Sequence, residues 1–323
     1  MAFIQHISTY IPEGFISNDE ISQRFPDWNS EQIFQKIGIK KRRITNENEF
    51  VSDIAVKAIN NLLKEYNIDK STIDYLIICT QSPDYFLPTT ACLVQHRVGL
   101  HKNCGAIDIN QGCSGYIYGI SLADALVSSG NFKNVILVTA ETYSKYLHES
   151  DKGNISLFGD AATATLISNK GLYKIGKFSL GSDGSGAENL IVKNGGSRYP
   201  NTQNTEDFDN FLYMNGKEIF NFTAKNIPGL LNDNLLLNQL QLEEIDQFIF
   251  HQANTFMLNF LRKKIGIPKE KFLIEMENYG NTVSSTIPIA FKTVFEQQND
   301  KVMLVGFGVG YSWGAVCLEQ RKD

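Results

Sequence analysis

Three residues spaced far along this chain could together do acyl chemistry: Cys113, His251 and Asn281. Cys113 lies in Gln111-Gly112-Cys113-Ser114-Gly115, a turn whose small residues leave room for a substrate. The apolar stretch from Gly105 to Asn110 before it reads as an interior strand. The run from Tyr116 to Ser129, stopped by Gly130, reads as a helix. A helix start has unpaired N–H groups and a partial positive charge, both of which favour the nucleophilic thiolate. His251 follows the apolar Phe248-Ile249-Phe250, and Asn281 sits on the turn Gly280-Asn281-Thr282. A cysteine so placed can hold an acyl group as a thioester. The histidine and asparagine can donate hydrogen bonds to an oxygen that becomes negative, and glycine-rich backbone can add another N–H. Taken singly, each has a plainer reading: a buried thiol packing as a small hydrophobe, a satisfied histidine, a turn asparagine.

Short apolar runs alternate with helical stretches, which is the pattern of an α/β protein. Asp74–Thr80, Asn134–Ala140 and Ala162–Ser168 read as strands in the first half. In the second, Ile245–Phe250 reads as a strand, Thr255–Ile265 as a helix stopped by Gly266, and Lys301–Val305 as a strand running into Gly306-Phe307-Gly308-Val309-Gly310. Element order is similar in the two halves, which predicts a division into 1–169, carrying the cysteine, and 170–323, carrying the histidine and asparagine. The Gly-, Asn- and Ser-rich segment from Gly181 to Asn215 reads as long surface loops.

The composition is that of a globular protein, with 42% hydrophobic and 20% charged residues. A net charge of −5 argues against nucleic acid as the main partner. Met1 to His6 lacks the features of a secretion signal, and no apolar run reaches membrane-spanning length. The five cysteines are odd in number and form no C-x-x-C pair, which suits a reduced, cytoplasmic setting.

Beyond the three residues, five motifs follow in order. They are Asp108-Ile109-Asn110-Gln111-Gly112-Cys113-Ser114-Gly115, Phe158-Gly159-Asp160-Ala161-Ala162, His251-Gln252-Ala253-Asn254, Gly280-Asn281-Thr282, and Gly306 through Gly314. Through them nearly the whole chain resembles the β-ketoacyl-ACP synthase III family of the thiolase superfamily. The resemblance implies a five-layer αβαβα thiolase-like fold built from two similar halves, and a homodimer. It implies that Cys113 takes an acyl group from acyl-CoA or another thioester. A malonyl group on acyl carrier protein then loses carbon dioxide, and the carbanion attacks the acyl-Cys113 carbonyl. His251 and Asn281 would steady the enolate oxygen, and the backbone N–H groups of Cys113 and Val309 would form an oxyanion hole. The family usually has glycine at the Val309 position. No permanently bound cofactor or metal is implied, and no nucleic acid or membrane partner.

Departures from the family pattern bear on substrate. Gln32 stands where relatives carry a tryptophan against the CoA nucleotide, and Lys36 and Lys152 stand for arginines, keeping charge without the planar fork. Asn254 closes the histidine motif. Phe256 replaces an arginine that helps dock carrier protein, while Arg262, Lys263 and Lys264 remain as a basic helix end. Leu87, before Pro88, occupies the position that reaches into the partner's acyl pocket; it is smaller than the common phenylalanine and predicts an acyl group larger than acetyl. Gln81 stands where the hydroxymethylglutaryl-CoA-forming branch has its basic glutamate, which argues against that branch. The same residues leave room for a specialised acyltransferase with a non-malonyl acceptor, and more remotely for a non-catalytic partner subunit, although the latter would be expected to lose Cys113.

Overall fold

The structure is a computed structural model that describes residues 1–200 and 207–321. Ten strands form its main sheet: β1 (Phe3–Tyr10), β2 (Tyr75–Cys79), β3 (Gly105–Ile109), β4 (Asn134–Glu141), β5 (Ala161–Ser168), β6 (Tyr173–Ser182), β7 (Gln247–Phe250), β8 (Phe272–Leu273), β9 (Lys301–Gly308) and β10 (Ser312–Gln320). Their spatial order is β8-β7-β9-β10-β6 followed by β1-β5-β4-β2-β3. Each set of five therefore has the same internal order, and β7 stands to β6 as β2 stands to β1. The sets meet edge to edge where β1 pairs antiparallel with β6, Phe3 opposite Lys174 and Ile4 opposite Tyr173. The change of set falls between Ser168 and Tyr173.

Six helices build the layers. Helices α1 (Val51–Glu65) and α2 (Thr90–Val98) cover the outer face of the first set; α4 (Gly216–Asn238) and α5 (Thr255–Ile265) cover the second. Between the sets lie α3 (Gly115–Ser128) and α6 (Thr286–Val294), each touching strands of both. Helix α3 is apolar around much of its circumference and buries Tyr116, Ile117, Ile120, Ala123 and Val127, as a helix packed on two sides must. The result is the five-layer αβαβα arrangement.

Helix α5 spans the range its sequence predicts because both ends are capped: Asn254 accepts the Met257 N–H at 2.8 Å, and Gly266 takes the left-handed conformation at φ 86°. Three expectations are corrected. Strand β3 is an edge strand of the sheet rather than an interior one, with Ile107 exposed. Strand β9 does not stop at Val305 but runs on through Gly308, because the alternate small residues let it pass tightly over the start of α3. The Gly181–Asn215 segment is not all loop: Leu190–Val192 pairs antiparallel with Leu212–Met214, burying Leu190 and Leu212, while 201–206 lie outside the described residues.

Candidate active site

Cys113 sits two residues before α3, in the turn after β3, and is 6% exposed. Gly308 at the end of β9 lies against it: a side chain there would begin 2.7 Å from Cys113 Cβ and 3.0 Å from Sγ, so only glycine fits. The hydroxyls of Ser114 and Ser312 meet at 2.7 Å, tying the turn before α3 to the start of β10. The backbone N–H groups of Cys113 and Val309 pull the thiol's pKa down. Even so, burial pushes the Cys113 thiol up to about 12, with the Glu141 carboxyl adding to it. The two N–H groups do pull towards thiolate, as the sequence predicts, and loss of water outweighs them. Glu141 is fully buried at the end of β4 and accepts from the Gln81 N–H at 3.1 Å, Ser82 Oγ at 2.8 Å and Ser284 Oγ at 3.1 Å. Burial raises this carboxyl to about 8, so it is mostly neutral at pH 7 and the Cys113 thiol is held up there mainly by burial.

His251 follows β7, its N–H donating to the Val305 carbonyl of β9 at 2.8 Å and its ring set edge-on to Phe307 at 5.6 Å. Phe307 lies between the two glycines that pack on the Cys113 turn, so histidine and cysteine share one wall. The ring is 2% exposed, and burial lowers its pKa to about 3. At neutral pH the ring is a neutral imidazole. Its Nδ1 lies 2.7 Å from Thr286 Oγ1, at the start of α6.

Asn281 is 3% exposed, and its Oδ1 accepts the Val283 N–H at 2.9 Å, which leaves the Nδ2 hydrogens as donors. Val283 itself has φ 54°, a left-handed backbone that a β-branched residue rarely adopts. That backbone turns its N–H to Asn281 while its carbonyl accepts from Thr286 Oγ1 at 3.0 Å. One strained residue thus links the supports of Asn281 and His251. Neither Val283 nor Thr286 stands out in the sequence; a valine in a left-handed turn leaves no compositional signal.

The Phe158-Gly159-Asp160 motif holds this turn from the other side. Phe158 forms a parallel bridge with Asn281, whose N–H donates to Leu157 O at 2.8 Å and whose carbonyl accepts from the Gly159 N–H at 3.0 Å. Asp160 is buried and accepts from Thr45 N–H and Oγ1 at 2.9 and 2.8 Å, and from Ser144 N–H and Oγ at 2.9 and 2.6 Å. The motif is scaffolding that gathers three loops around the site.

Known proteins resemble this chain in both sequence and fold. Residues 107–184 match the profile of 3-oxoacyl-[acyl-carrier-protein] synthase III, and residues 235–320 match that family's C-terminal profile. A β-ketoacyl-[acyl-carrier-protein] synthase III of Clostridium perfringens is 37% identical over 315 residues, 96% of each chain. The chain belongs to the β-ketoacyl-[acyl-carrier-protein] synthase III family. The synthase III of Lactococcus lactis is 35% identical over 98% of both chains. Among solved structures, a 3-oxoacyl-(acyl-carrier-protein) synthase III superposes with a TM-score of 0.94 at 45% identity, covering 99% of each chain. The Thermus thermophilus synthase III gives 0.89 at 34%, covering 99% of this chain and all of that one.

At the rim of this synthase III the sequence-derived positions fare differently. Gln32 is exposed on the helix Ser30–Ile37, but Trp28 lies just before that helix with Lys36 Nζ 5.5 Å and Lys152 Nζ 5.6 Å from its ring. An aromatic face flanked by two cations is therefore present, one turn from where alignment places it, and Lys152 also pairs with Asp27. Asn254 is spent capping α5. The basic end of α5 is not three free cations: Arg262 donates to Ile267 O at 3.2 Å and Lys264 to Ala224 O at 2.8 Å, while Lys263 is exposed. Phe256 is 64% exposed beside Phe220. Leu87 is 83% exposed, with Phe86 and Tyr85 next to it.

A cavity of about 800 Å³ opens beside the Gly112–Cys113 turn, lined by Gln81, Asn110, Tyr143, Tyr146, Leu190 and Val309 among others. Among the described residues no group of His, Cys, Asp and Glu is arranged to hold a metal ion, and no helix is long and apolar enough to cross a membrane.

Proposed function

We propose that this synthase III loads an acyl group from acyl-CoA onto Cys113 Sγ and condenses it with malonyl-acyl carrier protein to a β-ketoacyl thioester. The observation that carries the reading is the division of donors around one buried thiol. The N–H groups of Cys113 and Val309 act on the sulfur, beside the acyl carbon whose oxygen becomes negative in a tetrahedral intermediate. His251 and Asn281, from the strand and turn of the second half, are the neutral side chains this reading assigns as donors to the enolate oxygen.

Loading is proton-balanced. The acyl carbon leaves the CoA sulfur for Sγ, and the Cys113 proton ends on CoA. Decarboxylation then places negative charge on the malonyl thioester oxygen. For His251 to donate to that oxygen its proton must be on Nε2. That tautomer forms when the Thr286 hydroxyl turns from Val283 O to donate to Nδ1. The low pKa of His251 keeps it from becoming a cation, so it stabilises the enolate as a hydrogen-bond donor.

Replacing His251 or Asn281 with Ala should cut carbon dioxide release from malonyl-acyl carrier protein by roughly 100- to 1000-fold while sparing acyl loading by comparison. Loading lost as severely as decarboxylation would refute this division of roles. A second copy is the natural cover for the exposed Tyr85, Phe86 and Leu87, making the enzyme a homodimer. All five cysteines are unpaired, which suits a cytoplasmic location.

A further inference from the structure

The cavity beside Cys113 has an unusual wall for an acyl chain. Tyr143 is buried and donates its phenol hydrogen to Gln81 Oε1 at 3.0 Å. This fixes the carboxamide with its two Nε2 hydrogens unused among the described residues. The amide stands close to the nucleophile: a side chain begun at Gly112, the residue before Cys113, would lie 2.5 Å from both Gln81 Oε1 and Val309 Cγ1. Two more polar groups line the same cavity without a hydrogen bond among the described residues, the Tyr146 hydroxyl and the Asn110 carboxamide. Phe86, Leu190, Ile191, Val192, Leu212 and Val309 are among the apolar lining.

Charge narrows the ligand. Among the described residues no lysine, arginine or histidine lines the cavity, so an acyl chain ending in a carboxylate would find no counter-ion from them. The lining carboxylate, Asp84, is already engaged by the Ser52 N–H at 2.9 Å. What remains is a set of neutral donors and acceptors against an apolar side. An alkyl chain would leave the Gln81 amide without a partner, whereas a hydroxyl a few bonds from the thioester carbonyl would accept from it.

We infer that the acyl group this enzyme holds on Cys113 is a short hydroxyacyl chain, selected by the Gln81–Tyr143 pair. The inference rests on the proposed loading of Cys113 from acyl-CoA. The step is an ordinary thioester exchange: the hydroxyacyl C–S bond to CoA breaks, the C–S bond to Sγ forms, and the thiol proton leaves with CoA. The hydroxyl takes no part in bond making.

A competition reads the preference directly. Purified enzyme is mixed with equal concentrations of butyryl-CoA and 3-hydroxybutyryl-CoA, and the two Cys113 adducts are counted by intact mass. The expected result is a hydroxybutyryl adduct in roughly ten-fold excess. Gln81→Leu should shift the ratio towards butyryl, and Tyr143→Phe, which frees the amide to rotate, should reduce the excess. The ratio is internal to each sample, so partial misfolding of a variant does not move it. Equal or preferred butyryl loading by the wild type overturns the inference and leaves the loading reading intact, as does a ratio unmoved by Gln81→Leu. No adduct from either thioester overturns the loading reading as well.

Discussion

At the scale of single residues, Cys113 shows burial competing with backbone electrostatics. Its position before a helix and the two N–H groups on its sulfur favour the thiolate, yet burial sets the outcome and holds the thiol up at about 12. With the pKa raised, the thiolate fraction is small at neutral pH and grows as pH rises. Alkylation of Cys113 by iodoacetamide, followed by peptide mass so that the exposed Cys92 is scored separately, should accelerate roughly ten-fold per pH unit below the thiol's pKa. A rate already flat through neutral pH would show that the helix end prevails. The cysteine's identity as a candidate nucleophile was legible from its small neighbours and its strand–turn–helix setting. Its protonation state was not, because burial comes from Gly308, Val309 and Glu141, all distant in sequence. Trp28 escaped for a similar reason: Lys36 and Lys152 come together on its ring from positions far apart in the chain.

At the scale of elements, the decisive piece is the turn from Asn281 to Thr286 that starts α6. The segment 277–279 rests on the strand around Lys41–Arg43, with the Arg43 N–H donating to Tyr279 O at 3.0 Å, and Asn281 is bridged by Phe158. Between these supports Val283 is held in its left-handed conformation, at a cost of about 1–3 kcal/mol. Val283→Gly should relieve that strain while losing about as much in buried side chain, so melting temperature should change little. Decarboxylation should nevertheless fall by about ten-fold, because a flexible glycine no longer fixes the Asn281 carboxamide. Unchanged turnover in this variant would show that the strain positions nothing. Regular elements were the legible part of the fold: α5 carries Asn254 and Gly266 as caps, and β2 and β4 are apolar runs. Strand β6 was obscured by its Gly176, Gly181 and Ser182, and the pairing of Leu190–Val192 with Leu212–Met214 by the polar chain between them.

At the scale of the whole molecule, the repeated strand order explains why the site lies where it does. Two five-stranded sets with the same order pack against the shared helices α3 and α6. Cys113 comes from the first set, His251 and Asn281 from the second, so the site lies on the seam. The sequence shows the alternating pattern of each half. It does not show that β1 and β6 join the sets, because edge pairing depends on where the edges fall in space. The exposed Tyr85-Phe86-Leu87 tip lines or borders the cavity beside Cys113, so a second copy seated there would also wall the acyl site. Sedimentation should give twice the chain mass of 36.3 kDa, and Leu87→Asp should shift the protein towards monomer and weaken acyl loading. A wild-type monomer at micromolar concentration that loads normally would contradict the assembly.

The central claim is that one buried thiol performs both stages of a condensation. The direct measurement follows the mass of Cys113 through a single turnover. Enzyme first receives acyl-CoA alone, then malonyl-acyl carrier protein labelled in its free carboxyl carbon. The account predicts a stable acyl adduct on Cys113 after the first addition. After the second it predicts loss of that adduct, release of label as carbon dioxide, and a β-ketoacyl-acyl carrier protein, in matching amounts. An adduct that forms but persists while label stays on the carrier protein would contradict it.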